Sequence, residues 1–174
     1  MNVFFEGPNG SGKSTIADLV KNALRWDQVN LHHRDGDQFR RYLSEYGRTD
    51  TVFVRAHWSE EVYSELFGRK APFTQTEYDI LSQVAGLRGI VVLCLPKSAQ
   101  ILKDRLQERK GIGLDADKQS SLELCEREWD LWSRTLSSPL NPYNTADYVY
   151  QSDGKENLRK AVEEIVRMAQ GDRS

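Results

Sequence analysis

The sequence is poor in cysteine and contains neither a long apolar run nor an excess of one charge. Its two cysteines, Cys94 and Cys125, lack the spacing of a metal-binding or redox pair, so we expect free thiols in a reducing compartment. The longest apolar run, 89–95, is too short to span a bilayer, which argues against a membrane partner. The net charge of −2 excludes a strong overall attraction to nucleic acid or anionic lipid, although a local basic groove stays open.

The composition is that of an ordinary globular chain. Hydrophobic residues make up 39% and charged residues 29% of the 174 residues, which predicts a single domain over 1–174 with a buried core. The first residues, 1–6, lack the basic and long apolar segments of a secretory signal. We therefore expect a cytoplasmic protein.

Short apolar segments alternate with amphipathic helical patterns, which predicts an α/β fold with a mostly parallel sheet. The predicted strands are 2–6, 28–32, 51–55, 89–95 and 148–150. The predicted helices are 13–24, 35–46, 59–67, 74–87, 98–110, 122–136 and a last one carrying Leu158 to Val166. Residues 111–121 contain two glycines and show no sustained period, so they are predicted to form a loop between helices.

Residues 7–15, Gly-Pro-Asn-Gly-Ser-Gly-Lys-Ser-Thr, match the pattern G-x-x-x-x-G-K-[ST] between a predicted strand and a predicted helix. Glycines let backbone N–H groups converge on phosphate oxygens, and the helix N-terminus adds further N–H groups. We expect Lys13 to bind the β- and γ-phosphates of ATP and to act in catalysis, and the Ser14 hydroxyl to bind Mg²⁺. The predicted nucleotide-binding residues are Gly7, Asn9, Gly10, Ser11, Gly12, Lys13, Ser14 and Thr15.

Other short motifs resemble the thymidylate kinase and deoxynucleoside kinase superfamily of P-loop kinases. They are Phe5-Glu6-Gly7, Arg55 at the end of the third strand, and Arg105-x-x-x-Arg109 on a later helix. The segment 55–63, Arg-Ala-His-Trp-Ser-Glu-Glu-Val-Tyr, is similar to the corresponding stretch in viral and phage members. The resemblance implies a three-layer fold with a five-stranded parallel sheet and an acceptor pocket over the strand ends. It also implies a short helical lid at about 110–121, a homodimer, and the host cytoplasm if the chain is phage-encoded.

The resemblance also implies roles for residues near the acceptor. In the family, the arginine at the position of Arg55 contacts the acceptor or the transferring phosphoryl group, a role suited to a guanidinium. The family's acid before it is Val54 here, which leaves open the carboxylate that completes the Mg²⁺ shell. Arg34 and Asp35 follow the second strand, where family members place residues that orient the acceptor. A solvated loop in which Asp35 caps the next helix is the alternative.

Two further pairs complete the predicted site. Arg105 and Arg109 lie one turn apart on one helix face, so both could reach the phosphates or the adenine, and a solvated basic face is the alternative. His57 and Trp58 are predicted to bind the acceptor, with Trp58 stacking on its base, although a tryptophan at such a corner is also typical of a core.

Three functions stay open at this stage. The first is an ATP- and Mg²⁺-dependent kinase of a deoxynucleoside monophosphate, most simply a thymidylate-like one. The second is a kinase of a hydroxyl, on a nucleoside or on a 5-hydroxymethyl pyrimidine in phage DNA, which needs a general base such as Asp35. DNA would also require a basic track, for which the candidates are Arg34, Arg40, Arg41, Arg48, Arg69 and Lys70. The third is a non-kinase P-loop switch, but the sequence has no Asn-Lys-x-Asp guanine-reading motif.

Overall fold

The computed structural model describes residues 1–32, 36–110, 122–136, 146–152 and 154–171, with Arg109 and Lys110 described by their backbone alone. The strands are β1 (Asn2–Glu6), β2 (Asp27–Asn30), β3 (Thr51–Val54), β4 (Gly89–Cys94) and β5 (Tyr148–Tyr150). The helices are α1 (Lys13–Leu24), α2 (Gln38–Tyr46), α3 (His57–Leu66), α4 (Gln75–Arg88), α5 (Ala99–Lys110), α6 (Leu122–Thr135) and α7 (Lys155–Ala169). Among these described helices, none is both long and apolar enough to cross a bilayer.

The strands form one parallel sheet in the order β2-β3-β1-β4-β5. β1 is the central strand, and its Phe4 pairs with Phe53 of β3 on one side and Val91 of β4 on the other. The loop after β1 therefore emerges between two neighbouring strand ends, the position at which parallel sheets bind ligands. The predicted α/β fold with a five-stranded parallel sheet is confirmed.

Helices cover both faces of the sheet because side chains of β1 alternate between them. Phe4 packs on one face with Phe53 and Trp58, in a cluster that includes side chains of α2, α3, α4 and α6. Val3 and Phe5 pack on the other face with side chains of α1 and α7. This arrangement confirms the predicted three layers.

Some element boundaries differ from the prediction in ways that affect the site. α2 begins at Gln38, later than the predicted residue 35, because Asp37 caps it by accepting a hydrogen bond from the Arg40 backbone N–H at 3.0 Å. α3 begins at His57, two residues before the predicted start at Ser59. The predicted lid around 110–121 lies outside the described residues, apart from the end of α5 at Lys110.

Candidate active site

Left-handed glycines shape the loop between β1 and α1. Gly7, Gly10 and Gly12 have φ angles of 138°, 82° and 85°, which other residues rarely adopt. A Cβ on Gly7 would lie 2.1 Å from the Cys94 carbonyl oxygen, so the close approach of the loop to β4 requires glycine. Gly12 is the N-cap of α1, which leaves the first N–H groups of that helix available to a phosphate.

A cavity of about 610 Å³ opens beside this loop. It is lined by Asn9, Gly10, Gly12, Lys13, Ser14, Thr15, Asn30, Leu31, His32, Val54 and Arg55. Most of the predicted nucleotide-binding residues therefore meet at one site, whereas Gly7 and Ser11 are buried behind it. We call it the phosphate cavity.

Lys13 is held close to the loop from which it arises. Its Nζ donates a hydrogen bond to the Pro8 carbonyl oxygen at 3.0 Å, and the side chain is only 5% exposed. Burial, together with the positive charge of Arg55, lowers the pKa of Lys13 to about 8. An anion placed near Lys13 would therefore strongly favour its charged form.

Arg55 links the end of β3 to the phosphate loop. Its backbone has a φ of 68°, and one Nη donates a hydrogen bond to Asn9 Oδ1 at 2.6 Å. Its guanidinium also lies over the Tyr63 ring, 5.1 Å from the centroid. The arginine predicted to contact the acceptor is thus held at the phosphate loop by contacts from two different elements.

Glu6, the last residue of β1, fixes the start of α3. Its carboxylate accepts hydrogen bonds from the Ala56 N–H at 2.7 Å, the Ser59 N–H at 3.2 Å and the Ser59 hydroxyl at 2.6 Å. Complete burial raises the pKa of Glu6 to about 7, against the lowering effects of these donors and of Lys13. A distant strand therefore supplies the cap that Ala56 cannot provide, which explains the early start of α3.

Glu128 of α6 holds the opposite side of the loop. It is 1% exposed and accepts hydrogen bonds from the Asn9 N–H at 2.9 Å and the Tyr63 hydroxyl at 2.7 Å. Burial and the charge of Glu128 raise the pKa of Tyr63 well above its usual value. The sequence prediction missed Glu128, although a carboxylate between Cys125 and Trp132 on a core-facing seam was the available signal.

Arg105 of α5 reaches the phosphate loop from a third direction. Its guanidinium donates hydrogen bonds to the Gly10 carbonyl oxygen at 3.2 Å, the Ser152 hydroxyl at 2.7 Å and the Ser152 carbonyl oxygen. It lines a second cavity of about 460 Å³ that also contains Thr15 and Lys155. Arg109 lies in the last turn of α5, but its side chain is outside the described part of the molecule.

Arg55 also lines a third cavity, of about 150 Å³. It shares Asn9, His32 and Arg55 with the phosphate cavity. Its other lining residues are Ser59, Glu60, Tyr63, Phe67 and Arg69. We call it the α3 cavity, because most of its lining comes from that helix and its C-terminal turn.

The structure corrects the predicted contacts of His57 and Trp58 with an acceptor. Both side chains are completely buried, and Trp58 packs edge-on against Phe4 of the central strand. His57 hydrogen-bonds to the Tyr46 hydroxyl and to Ser82 Oγ, both at 2.9 Å, and burial lowers its pKa well below its usual value. The earlier start of α3 turns both residues into the core.

Two other predicted site residues, Arg34 and Asp35, lie outside the described residues. Ser14 lies in the first turn of α1 and lines the phosphate cavity, as its predicted role requires. Val54, at the position where the resemblance to thymidylate kinases implies an acid, is an apolar residue. Within the described ranges, no group of three His, Cys, Asp or Glu residues could hold a metal ion.

Comparisons with known proteins point to kinases. Residues 1–60 match a family model described as adenylylsulphate kinase. Adenylyl-sulfate kinase of Klebsiella pneumoniae is 27% identical over 168 residues, covering 94% of this chain and 76% of that protein.

Solved structures share the fold at low sequence identity. The YorR protein of Bacillus subtilis in complex with phosphorylated GDP has a TM-score of 0.78 at 15% identity, covering 99% of this chain and 97% of that one. Deoxyadenosine kinase of M. mycoides, with the products dCMP and dCDP bound, has a TM-score of 0.62 at 14% identity, covering 98% of this chain and 100% of that one. Membership of the thymidylate kinase superfamily stays a prediction. The phosphate loop, the fold and these similarities together make the chain an ATP-dependent kinase of the P-loop type.

Proposed function

We propose that the chain transfers the γ-phosphoryl group of ATP to a nucleotide that carries its own anionic group, as a deoxynucleoside monophosphate does. The position of Arg55 supports this proposal most strongly, since Arg55 lines both the phosphate cavity and the α3 cavity. Among the residues that the structure describes, no carboxylate forms an ion pair with it. A guanidinium in this setting favours an anionic ligand.

In this proposal, different residues bind the phosphates and the adenine of ATP. Lys13 and the N-terminus of α1 bind the β- and γ-phosphates, and the second cavity, which Arg105 lines, is the candidate site for the adenine. The donor set fits Mg²⁺, because Mg²⁺ keeps several waters and needs only one or two protein ligands such as the Ser14 hydroxyl. When bound, Mg²⁺ would neutralise charge on the transferring phosphate.

Charge neutralisation is the main task that these residues perform. An acceptor phosphate and a γ-phosphate repel each other, and Arg55 at the boundary of the two cavities offsets that repulsion. Lys13 and Arg55 approach from different elements, so the phosphoryl group is oriented from two sides. An ionised acceptor phosphate attacks without losing a proton, so this reaction requires no general base.

The proposal is tested by transfer from γ-labelled ATP to matched acceptors. We expect dTMP or another nucleotide to be labelled at least a hundredfold more efficiently, by kcat/KM, than its uncharged nucleoside, which corresponds to about 2.7 kcal/mol of transition-state stabilisation. Adenylyl sulfate with adenosine forms a second pair, which tests the preference for a charged nucleotide when the attacking group is a hydroxyl, and DNA with 5-hydroxymethyl pyrimidine forms a separate arm. Labelling of uncharged nucleosides as efficiently as nucleotides would refute the proposal.

A hydroxyl acceptor is the second candidate, favoured by the similarity to adenylyl-sulfate kinase and to deoxyadenosine kinase. A hydroxyl must lose a proton, so a general base such as Asp35 would be essential. Asp35→Asn separates the two candidates in single-turnover transfer. A loss beyond about a hundredfold favours a hydroxyl, and a loss near tenfold favours a phosphate.

The Asp35 substitution is a clean test because a different residue, Asp37, caps α2. Comparable melting temperatures of wild type and variant would confirm that the rate change is chemical. A non-kinase switch is not retained as a candidate, since the matching family model and the curated relatives are kinases.

A further inference from the structure

The turn that ends α3 projects an arginine into the α3 cavity. Gly68, with a φ of 62°, follows the last turn of α3, and its N–H donates to the Glu65 carbonyl oxygen at 3.3 Å. The next N–H, that of Arg69, donates to the Ser64 carbonyl oxygen at 2.8 Å. These two bonds form a Schellman motif, which fixes the backbone from which the Arg69 side chain leaves the helix.

The Arg69 side chain is positioned by an aromatic ring that faces solvent. Its guanidinium lies 5.4 Å from the centroid of the Phe67 ring, a cation–π contact. Phe67 is 43% exposed and lies nearly parallel to Tyr63, with 6.1 Å between centroids and 13° between planes. Because Arg55 covers Tyr63 in the same way, two adjacent rings carry two guanidinium groups along one wall of the α3 cavity.

The charge and the volume of the α3 cavity favour a small anionic ligand. Two guanidinium groups face one carboxylate there, that of Glu60, which accepts a hydrogen bond from the Tyr42 hydroxyl at 3.0 Å. In the described part of the chain, Arg69 forms no ion pair that would neutralise it. A volume of about 150 Å³ accommodates a tetrahedral oxyanion with a few attached atoms, but not a whole nucleotide.

We propose that Arg69 is the second anion-binding residue of the acceptor site and holds, together with Arg55, a phosphate or sulfate group of the acceptor in the α3 cavity. This inference rests on the proposed function and adds the residue that selects the acceptor. Arg69 acts on acceptor binding and lies apart from the phosphate cavity, so nucleotide binding at the P-loop does not require it. The sequence placed Arg69 only among the candidates for a basic track along DNA. The α3 cavity gives it a specific role in binding the acceptor.

The test compares Arg69→Gln with Lys70→Gln, which removes the same charge from an exposed neighbour that does not line the cavity. Equilibrium binding of dTMP, adenylyl sulfate, thymidine and adenosine is measured with a non-hydrolysable ATP analogue and Mg²⁺ present. We expect Arg69→Gln to weaken binding of dTMP, adenylyl sulfate or both at least tenfold, equivalent to about 1.4 kcal/mol. We expect Lys70→Gln to change it less than twofold and both variants to bind the analogue as wild type does.

The ligand whose binding is lost in Arg69→Gln identifies the group that Arg69 binds. A loss confined to dTMP identifies a phosphate monoester as the ligand of Arg69, and a loss confined to adenylyl sulfate identifies the sulfate-bearing nucleotide. Equal effects of the two variants, an equal loss with thymidine or adenosine, or no preference of the wild type for charged ligands would contradict the proposal. Failure of the proposed function appears elsewhere, as absence of transfer to any anionic nucleotide in the labelling assay.

Discussion

At the scale of single residues, the proposed chemistry depends most on Lys13. We expect Lys13→Met to reduce phosphoryl transfer by at least a hundredfold, since it removes the cation proposed to stabilise the transferring phosphate. Methionine keeps much of the buried volume, and the described partner of Lys13 Nζ is one loop carbonyl oxygen. Single-turnover rates, with melting temperature as the folding control, check this expectation. Retained turnover would remove the P-loop lysine from the mechanism.

The depressed pKa of Lys13 makes ATP binding depend on pH. With a pKa lowered to about 8 in the free protein, a substantial fraction of Lys13 is neutral at pH 8.5. Bound phosphates favour the charged form and raise the pKa, so ATP binding at this pH takes up protons.

Calorimetric titrations at pH 8.5 in buffers of different ionisation enthalpy measure that uptake. Lys13→Met should abolish the uptake if Lys13 is its source. Equal proton uptake by the variant, or none by the wild type, would contradict the assigned pKa.

The phosphate-loop residues could be predicted because the whole motif lies in one contiguous segment, 7–15. Glu6 and Glu128 could not be predicted in the same way. Their partners, Ala56 and Asn9 among them, are 50 and 119 residues distant in the chain. The core-facing position of Glu128 on α6 indicated a buried carboxylate, but only the fold shows which groups these two carboxylates contact.

At the scale of elements, the junction between β1 and α3 connects the phosphate loop to the α3 cavity. The Glu6 carboxylate caps α3 next to Arg55, and Lys13 is the nearby cation that lowers the pKa of Glu6. A carboxylate whose pKa is about 7 in the folded protein and near 4.5 when unfolded keeps its proton only in the folded state between those values. Its contribution to the free energy of unfolding therefore falls as pH rises from about 4.5 to 7.

Glu6→Gln removes this titration while keeping the size of the side chain and one oxygen acceptor. We expect the stability of wild type relative to Glu6→Gln to decline between pH 5 and 7 and to level off above pH 7.5. Urea unfolding across this range checks the slope, and Glu61→Gln, an exposed position on α3, is the matched control. A difference that does not vary with pH would show that Glu6 titrates normally.

Element boundaries were predicted less well than element types, for a physical reason. The hydrophobic period identifies the body of α3, but its start depends on the Glu6 cap from another strand. His57 and Trp58 lie in the core, whereas Phe67, at the opposite end of α3, is an exposed aromatic ring that lines the α3 cavity. The sequence therefore predicted an acceptor contact for two side chains that the fold buries.

At the scale of the whole molecule, the alternation of apolar and amphipathic segments was enough to predict the parallel five-stranded sheet. The order β2-β3-β1-β4-β5 has a further consequence that periodicity alone does not reveal. It places the ends of β1 and β3 side by side, and so brings Arg55 within 2.6 Å of Asn9 in the phosphate loop. Arg55 therefore lines both the phosphate cavity and the α3 cavity.

The central claim is that Arg55 makes phosphoryl transfer selective for a negatively charged acceptor. The most direct measurement compares kcat/KM for a nucleotide and its uncharged nucleoside in wild type and in Arg55→Gln. We predict that the wild type prefers the charged acceptor at least a hundredfold and that Arg55→Gln lowers this preference at least tenfold, with ATP affinity changed much less. An undiminished preference in Arg55→Gln, with the variant folded, would contradict the account.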